Sequence, residues 1–258
     1  MKRLLEWNEV PSDAVLVDAR AQDLFAASHV PGARHAEFMD KFIIRSLEQL
    51  EAFNTAVQTL VRSLGLRGTE HVAVYDAGRE TRAARLAWAL EYAGFTEVGM
   101  LRTGLNGYTG TLETSSEPIA PSDFTLEHPR RELLATADEI LGRDSNVIVL
   151  DARSADEYSG AKPIAGSDKA GHIPGARSLD WQRLTDGRGI ADDAAIQKQL
   201  EDIPADAEVI VHCQSGARSS VLYQALKSRG VNVKNYIGSM NEWAQEDLPL
   251  EMGDDANK

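Results

Sequence analysis

The segment with the clearest chemical content is Val209-Ile210-Val211-His212-Cys213-Gln214-Ser215-Gly216-Ala217-Arg218-Ser219-Ser220. A β-branched apolar run leads into Cys213, a loop of small residues follows, and a helical pattern begins near Arg218. That order places Cys213 at the C-terminal end of a strand and ahead of a helix N-terminus, where ligands gather in open α/β sheets. Unpaired N–H groups and the positive end of the helix dipole point into such a loop. With Arg218 they favour thiolate over thiol, drawing the pKa down from about 8.5. A thiolate is a nucleophile, so the loop predicts covalent chemistry on sulfur and a cradle for an anionic adduct. The commoner fate of a lone cysteine after a strand is a small buried hydrophobe. Gly216, the small neighbours and Arg218, which is ill suited to an apolar core, tip the reading toward a reactive thiol.

Such a loop needs a sheet and a helix behind it, and the sequence repeats that scaffold. Val15-Leu16-Val17-Asp18-Ala19-Arg20 returns as Val147-Ile148-Val149-Leu150-Asp151-Ala152-Arg153, and His29-Val30-Pro31-Gly32-Ala33-Arg34 returns as His172-Ile173-Pro174-Gly175-Ala176-Arg177. His71-Val72-Ala73-Val74-Tyr75-Asp76 matches the run into Cys213, with Asp76 as the cysteine's counterpart, and Gly104 to Tyr108 resembles Gly238 to Trp243. Between Tyr158 and His172 the second copy carries a longer loop. Four matches in one order mark a duplication. The runs 15–18, 72–75, 147–150 and 209–212 have the composition of buried parallel strands. Residues 80–93 and 218–229 show helical spacing and end at Gly94 and Gly230, in the position of C-terminal caps. Strands alternating with helices predict α/β/α layers in each half.

The boundaries read as a first domain at 1–115, a linker at 116–131 holding Pro118, Pro121 and Pro129, a second domain at 132–250, and an acidic tail at 251–258 without fixed structure. Only the second half carries the nucleophile, because the carboxylate of Asp76 cannot act as a thiol. The net charge of −13 argues against a nucleic-acid partner. A single cysteine excludes an internal disulfide and fits a reducing compartment, here the cytoplasm. No run of the chain has the length of a membrane span or a secretory signal. Asp18–Arg20 and Asp151–Arg153 read as ties within their own domains. His212, next to the thiol but on the opposite face of a strand, reads as a packed histidine.

These motifs together resemble the tandem-domain rhodaneses, sulfurtransferases in which two homologous α/β domains are joined by a linker and only the second bears the catalytic cysteine. The resemblance spans roughly residues 3 to 250. It implies two rhodanese-like α/β/α domains, each with a mostly parallel sheet flanked by helices. It also implies a ping-pong reaction in which Cys213 takes the outer sulfur of a donor such as thiosulfate as a persulfide. Cyanide or a cellular thiol, with thioredoxin or glutathione as candidates, then removes that sulfur. No metal or organic cofactor is implied, and the chain would act as a monomer or weak dimer. Main-chain N–H groups of Gln214, Ser215, Gly216, Ala217 and Arg218 would stabilise the persulfide, and the Arg218 side chain would bind the anionic donor. Ser219, Lys169 and Arg82 are further candidates, Arg82 if the domains face each other as in the family.

The spacing Cys-x4-Arg is one residue shorter than in related phosphatases and arsenate reductases, which favours a single sulfur over a tetrahedral oxyanion. Where the family carries a substrate-binding arginine, this sequence has Glu157. That departure keeps two alternatives open: 3-mercaptopyruvate as donor, or a persulfide carrier loaded by another protein. Arg218 favours dianionic thiosulfate.

Overall fold

The structure, a computed structural model, describes residues 1–36, 49–78 and 81–253. Its contacts divide the chain into two compact units. The first contains β1 (Leu4–Leu5), β2 (Val15–Asp18), α1 (Gln22–Ala27), β3 (Arg34–His35), α2 (Leu50–Ser63), β4 (Val72–Tyr75), α3 (Arg82–Tyr92) and β5 (Val98–Leu101). Its sheet is parallel throughout, in the order β1-β5-β4-β2-β3. The second contains α4 (Ala137–Leu141), β6 (Val147–Asp151), α5 (Ala155–Ser159), β7 (Arg177–Ser178), α6 (Asp193–Gln199), β8 (Glu208–His212), α7 (Ala217–Ser228), β9 (Asn232–Asn235) and α8 (Ser239–Gln245). This sheet is also parallel, in the order β7-β6-β8-β9. Helices flank both sheets, as the repeat predicts. Thr185–Ala191, which lies late in the sequence, packs with the first unit.

The central strands are apolar because both of their faces are covered: Val72, Ala73, Val74 and Tyr75 are all buried, and so are Val209 to His212. α3 and α7 stop where the sequence predicts. Gly94 and Gly230 take φ of +103° and +78°, and the next N–H reaches back to the helix, from Phe95 to Leu90 O at 3.1 Å and from Val231 to Leu226 O at 3.2 Å. Val149, Ile173, Ile210, Tyr236, Met240 and Trp243 meet in the second unit's core. Among the described residues no helix is long and apolar enough to cross a membrane.

The paired Asp-x-Arg segments form the same fork in each unit. Arg20 Nη2 donates to Asp18 Oδ2 and Arg153 Nη2 to Asp151 Oδ2, both at 2.6 Å, and all four residues are buried. These are the intradomain ties read from the sequence. The duplication also includes a feature without a local motif. His29 exchanges main-chain hydrogen bonds with Glu113, and His172 does so with Glu251. Each glutamate side chain then accepts from the glycine of the Pro-Gly pair, Gly32 at 2.9 Å and Gly175 at 3.1 Å. The expectation of an unstructured tail from Glu251 therefore needs correction, because Glu251 is pinned to His172 and Gly175. Residues 254–258 of that tail lie outside the described residues.

Candidate active site

β8 is paired on both sides, with β6 and β9, so the strand end that delivers Cys213 is fixed laterally. The turn into α7 passes through Gly216, whose φ of +81° is left-handed; a Cβ there would sit 2.9 Å from Ile237 Cα. Asn235, fully buried at the end of β9, supports the loop from within the unit. Its Nδ2 donates to Ser220 Oγ at 3.1 Å and Gly216 O at 3.4 Å, and its Oδ1 accepts from Ser219 Oγ at 2.7 Å.

Cys213 is 1% exposed. Burial pushes its thiol up, but the Arg218 charge and the main-chain N–H groups of Ser219 and Ser215 outweigh that. The thiol is held below its ordinary value. The sulfur is thus covered, yet ringed by donors and a cation rather than sealed in hydrocarbon. Arg218 in turn is gripped by Glu157, with Nη1 to Oε2 at 2.6 Å and Nη2 to Oε1 at 2.9 Å. Burial raises the Glu157 pKa, but the guanidinium and Ser154 overcome it and hold the carboxyl down at about 2. The Arg218 pKa is raised despite burial, chiefly by Glu157. Two sequence features place Glu157 there: Ser154 caps α5, and the Glu157 side chain folds back onto the Ser154 N–H in a capping box.

Of the loop residues singled out from the sequence, Ser215 and Arg218 act on the sulfur, together with Ser219. Ser215 and Ser219 turn N–H groups to it, Gly216 makes the turn, and Ala217 opens α7. Gln214 Nε2 donates to Asn241 Oδ1 at 2.6 Å. Lys169 points elsewhere, donating to Ala244 O at 2.7 Å and Asp247 Oδ1 at 2.6 Å, so it fastens the long loop before His172 to the C-terminal end of α8 and the residues just after it. Arg82 lies in the first unit, with Nη1 3.5 Å from Ala19 O. His212 is fully buried. Burial lowers its pKa to about 4 even though Asp151 Oδ2 lies 3.8 Å from Nε2, so it is a neutral packed ring.

The first unit builds the same kind of loop without a nucleophile. Asp76 is buried, and its carboxylate accepts from the N–H of Gly78 at 2.7 Å and of Ala83 at 3.0 Å. There the loop amides are occupied by the chain's own anion. Arg79 and Glu80, in this loop, lie outside the described residues.

Sequence reasoning did not identify Asn235 or Ser239 as parts of the site. Neither stands in a chemical motif, and both reach the loop only through the packing of β9 and α8.

A rhodanese-like domain model matches the chain twice, at residues 1–111 and 134–246. The thiosulfate sulfurtransferase of Pseudomonas aeruginosa is 32% identical over 256 residues, covering 93% of this chain and 92% of the relative. The 3-mercaptopyruvate sulfurtransferase of Escherichia coli is 30% identical over 201 residues, covering 74% and 71%. A crystal structure of a probable thiosulfate sulfurtransferase superposes with a TM-score of 0.76 at 34% identity, covering 94% of this chain and 99% of its own. The chain therefore belongs to the rhodanese-like family, among its two-domain sulfurtransferases.

Proposed function

We propose that the protein moves a sulfane sulfur from thiosulfate to a thiophilic acceptor through a persulfide on Cys213. The Cys213 thiolate attacks the outer sulfur of thiosulfate. The bond between the two donor sulfurs breaks, and sulfite leaves with the bonding pair. Cyanide or a thiolate then takes the outer sulfur and returns the Cys213 thiolate. The observation that supports this most is the ring of Ser215 and Ser219 amides and the Arg218 charge, which favours an anion on sulfur in both states of the cycle. In this reading residues 132–250 are the catalytic domain, 1–115 its non-catalytic duplicate and 116–131 the linker. The reaction takes place in the cytoplasm, with cyanide or a thiol such as glutathione or thioredoxin as acceptor.

The test is intact-mass measurement after incubation with thiosulfate. The chain should gain one sulfur atom and lose it again on addition of cyanide, and Cys213→Ser should do neither. Turnover by Cys213→Ser, or no gain by the wild type, would sink the proposal.

One observation favours a second reading. Glu157 takes one N–H from each Nη group of Arg218, and its carboxylate partly offsets the guanidinium charge available to a dianion. That suits 3-mercaptopyruvate, or a persulfide delivered by a partner protein. Comparing kcat/KM for thiosulfate, 3-mercaptopyruvate and glutathione persulfide separates the readings. Poor turnover of all three, with rapid loading from a protein donor, selects the carrier.

A further inference from the structure

The main chain of Cys213 is held by the first turn of α8. Its N–H donates to Ser239 Oγ at 3.2 Å, and its C=O accepts from Met240 N at 3.1 Å; the next carbonyl, of Gln214, accepts from Asn241 N at 3.0 Å. The Ser239 hydroxyl spends its own proton on Tyr236 O at 2.6 Å, so its oxygen faces Cys213 only as an acceptor. Ser239 is fully buried and adopts φ of +53°, a left-handed conformation that favours glycine.

The first unit shows what this position looks like without a nucleophile. There Leu105 N donates to Asp76 O and Asn106 N approaches Ala77 O, the counterparts of the Met240 and Asn241 bonds. The residue before Leu105 is Gly104, at φ of +50°, so Gly104 and Ser239 are structural equivalents. A Cβ on Gly104 would clash with Asp76 O and Gly78 N. The same backbone therefore holds glycine beside Asp76 and a strained serine beside Cys213. What the serine adds is a hydroxyl that donates to Tyr236 O and accepts from the Cys213 N–H, and only the second of these bonds touches the nucleophile.

We infer that Ser239 is a positioning residue for sulfur transfer, fixing the Cys213 peptide so that Sγ stays within reach of the Ser215 and Ser219 amides. The inference rests on the Cys213 chemistry proposed above. Without the hydroxyl, the Cys213 N–H loses its buried acceptor and the His212–Cys213 peptide is held only through its carbonyl, by Ala152 N at 2.9 Å, so the sulfur shifts relative to donors that act only at short range.

The test uses Ser239→Gly, whose backbone conformation the first unit already supports, with Ser239→Ala as a second removal of the hydroxyl. Cys213 alkylation by iodoacetamide is followed against pH, and kcat and KM are measured for thiosulfate with cyanide. Both variants should raise the alkylation midpoint and lower kcat by about tenfold per folded molecule, with KM nearly unchanged. Glycine should recover stability relative to alanine without recovering kcat. A purely architectural role would cost stability and leave the midpoint in place. An unchanged midpoint in Ser239→Gly overturns the inference, whereas a wild type that never acquires sulfur overturns the proposed function instead.

Discussion

Glu157 and Arg218 face each other fork to fork, through two hydrogen bonds of 2.6 and 2.9 Å, at the loop that carries Cys213. The guanidinium is thereby fixed and kept charged. Its field on the sulfur and on any incoming anion is partly cancelled by the carboxylate. Glu157→Gln keeps one acceptor for Arg218 and removes the opposing charge. The KM for thiosulfate should fall about threefold to tenfold, and the alkylation midpoint of Cys213 should drop. A rise in KM would mean that the carboxylate's role is to hold Arg218 in place.

The same pair sets an acid limit. Glu157 titrates at about 2 in the folded chain against an ordinary 4.5, so its contribution to stability is complete above pH 4.5 and is lost as pH falls toward 2. With its partial solvent access, that amounts to about 1–2 kcal/mol. Urea unfolding of the wild type should steepen in this window relative to Glu157→Gln. Parallel curves would refute the assignment.

His212 governs a higher window. Its folded value of about 4 lies below the ordinary 6.5, so the folded state resists protonation. Stability should be intact above pH 6.5 and should decline as pH falls toward 4, by about 2–3 kcal/mol. His212→Gln should show a shallower decline there, read by chemical denaturation at pH 7, 6, 5 and 4. An equally steep decline would place the responsible group elsewhere.

Gly216→Ala forces a side chain into a left-handed turn against Ile237. The expected cost is about 1–3 kcal/mol of stability. Because the loop amides shift with the turn, kcat should fall at least about tenfold. Full activity in this variant would show that the loop amides do not need this turn.

Asp76→Ala separates architecture from chemistry. It strips the N–H groups of Gly78 and Ala83 of a buried acceptor, at a cost of about 2–4 kcal/mol. Sulfur loading of Cys213 per folded molecule should persist, as intact mass would report. Loss of loading in well-folded protein would give the first unit a part in the reaction.

The chain order of residue types determined the duplication, the buried parallel strands, the glycine helix stops and the strand-to-helix loop around Cys213. All of these follow from features a few residues apart: alternation, helical period, β-branched runs and a cysteine placed between strand and helix. Tertiary structure decided the rest. Glu157 meets Arg218 across 61 residues, and Ser239 reaches Cys213 across 26. Lys169 finds Asp247 rather than the sulfur. Glu251 is tied to His172 where composition alone suggests a loose end. In sequence Gly104 aligns with Gly238, but the hydrogen bonds equate it with Ser239. Side-chain partners depend on which strand and helix ends share a neighbourhood, and spacing along a chain carries no record of that until the sheet brings those ends together.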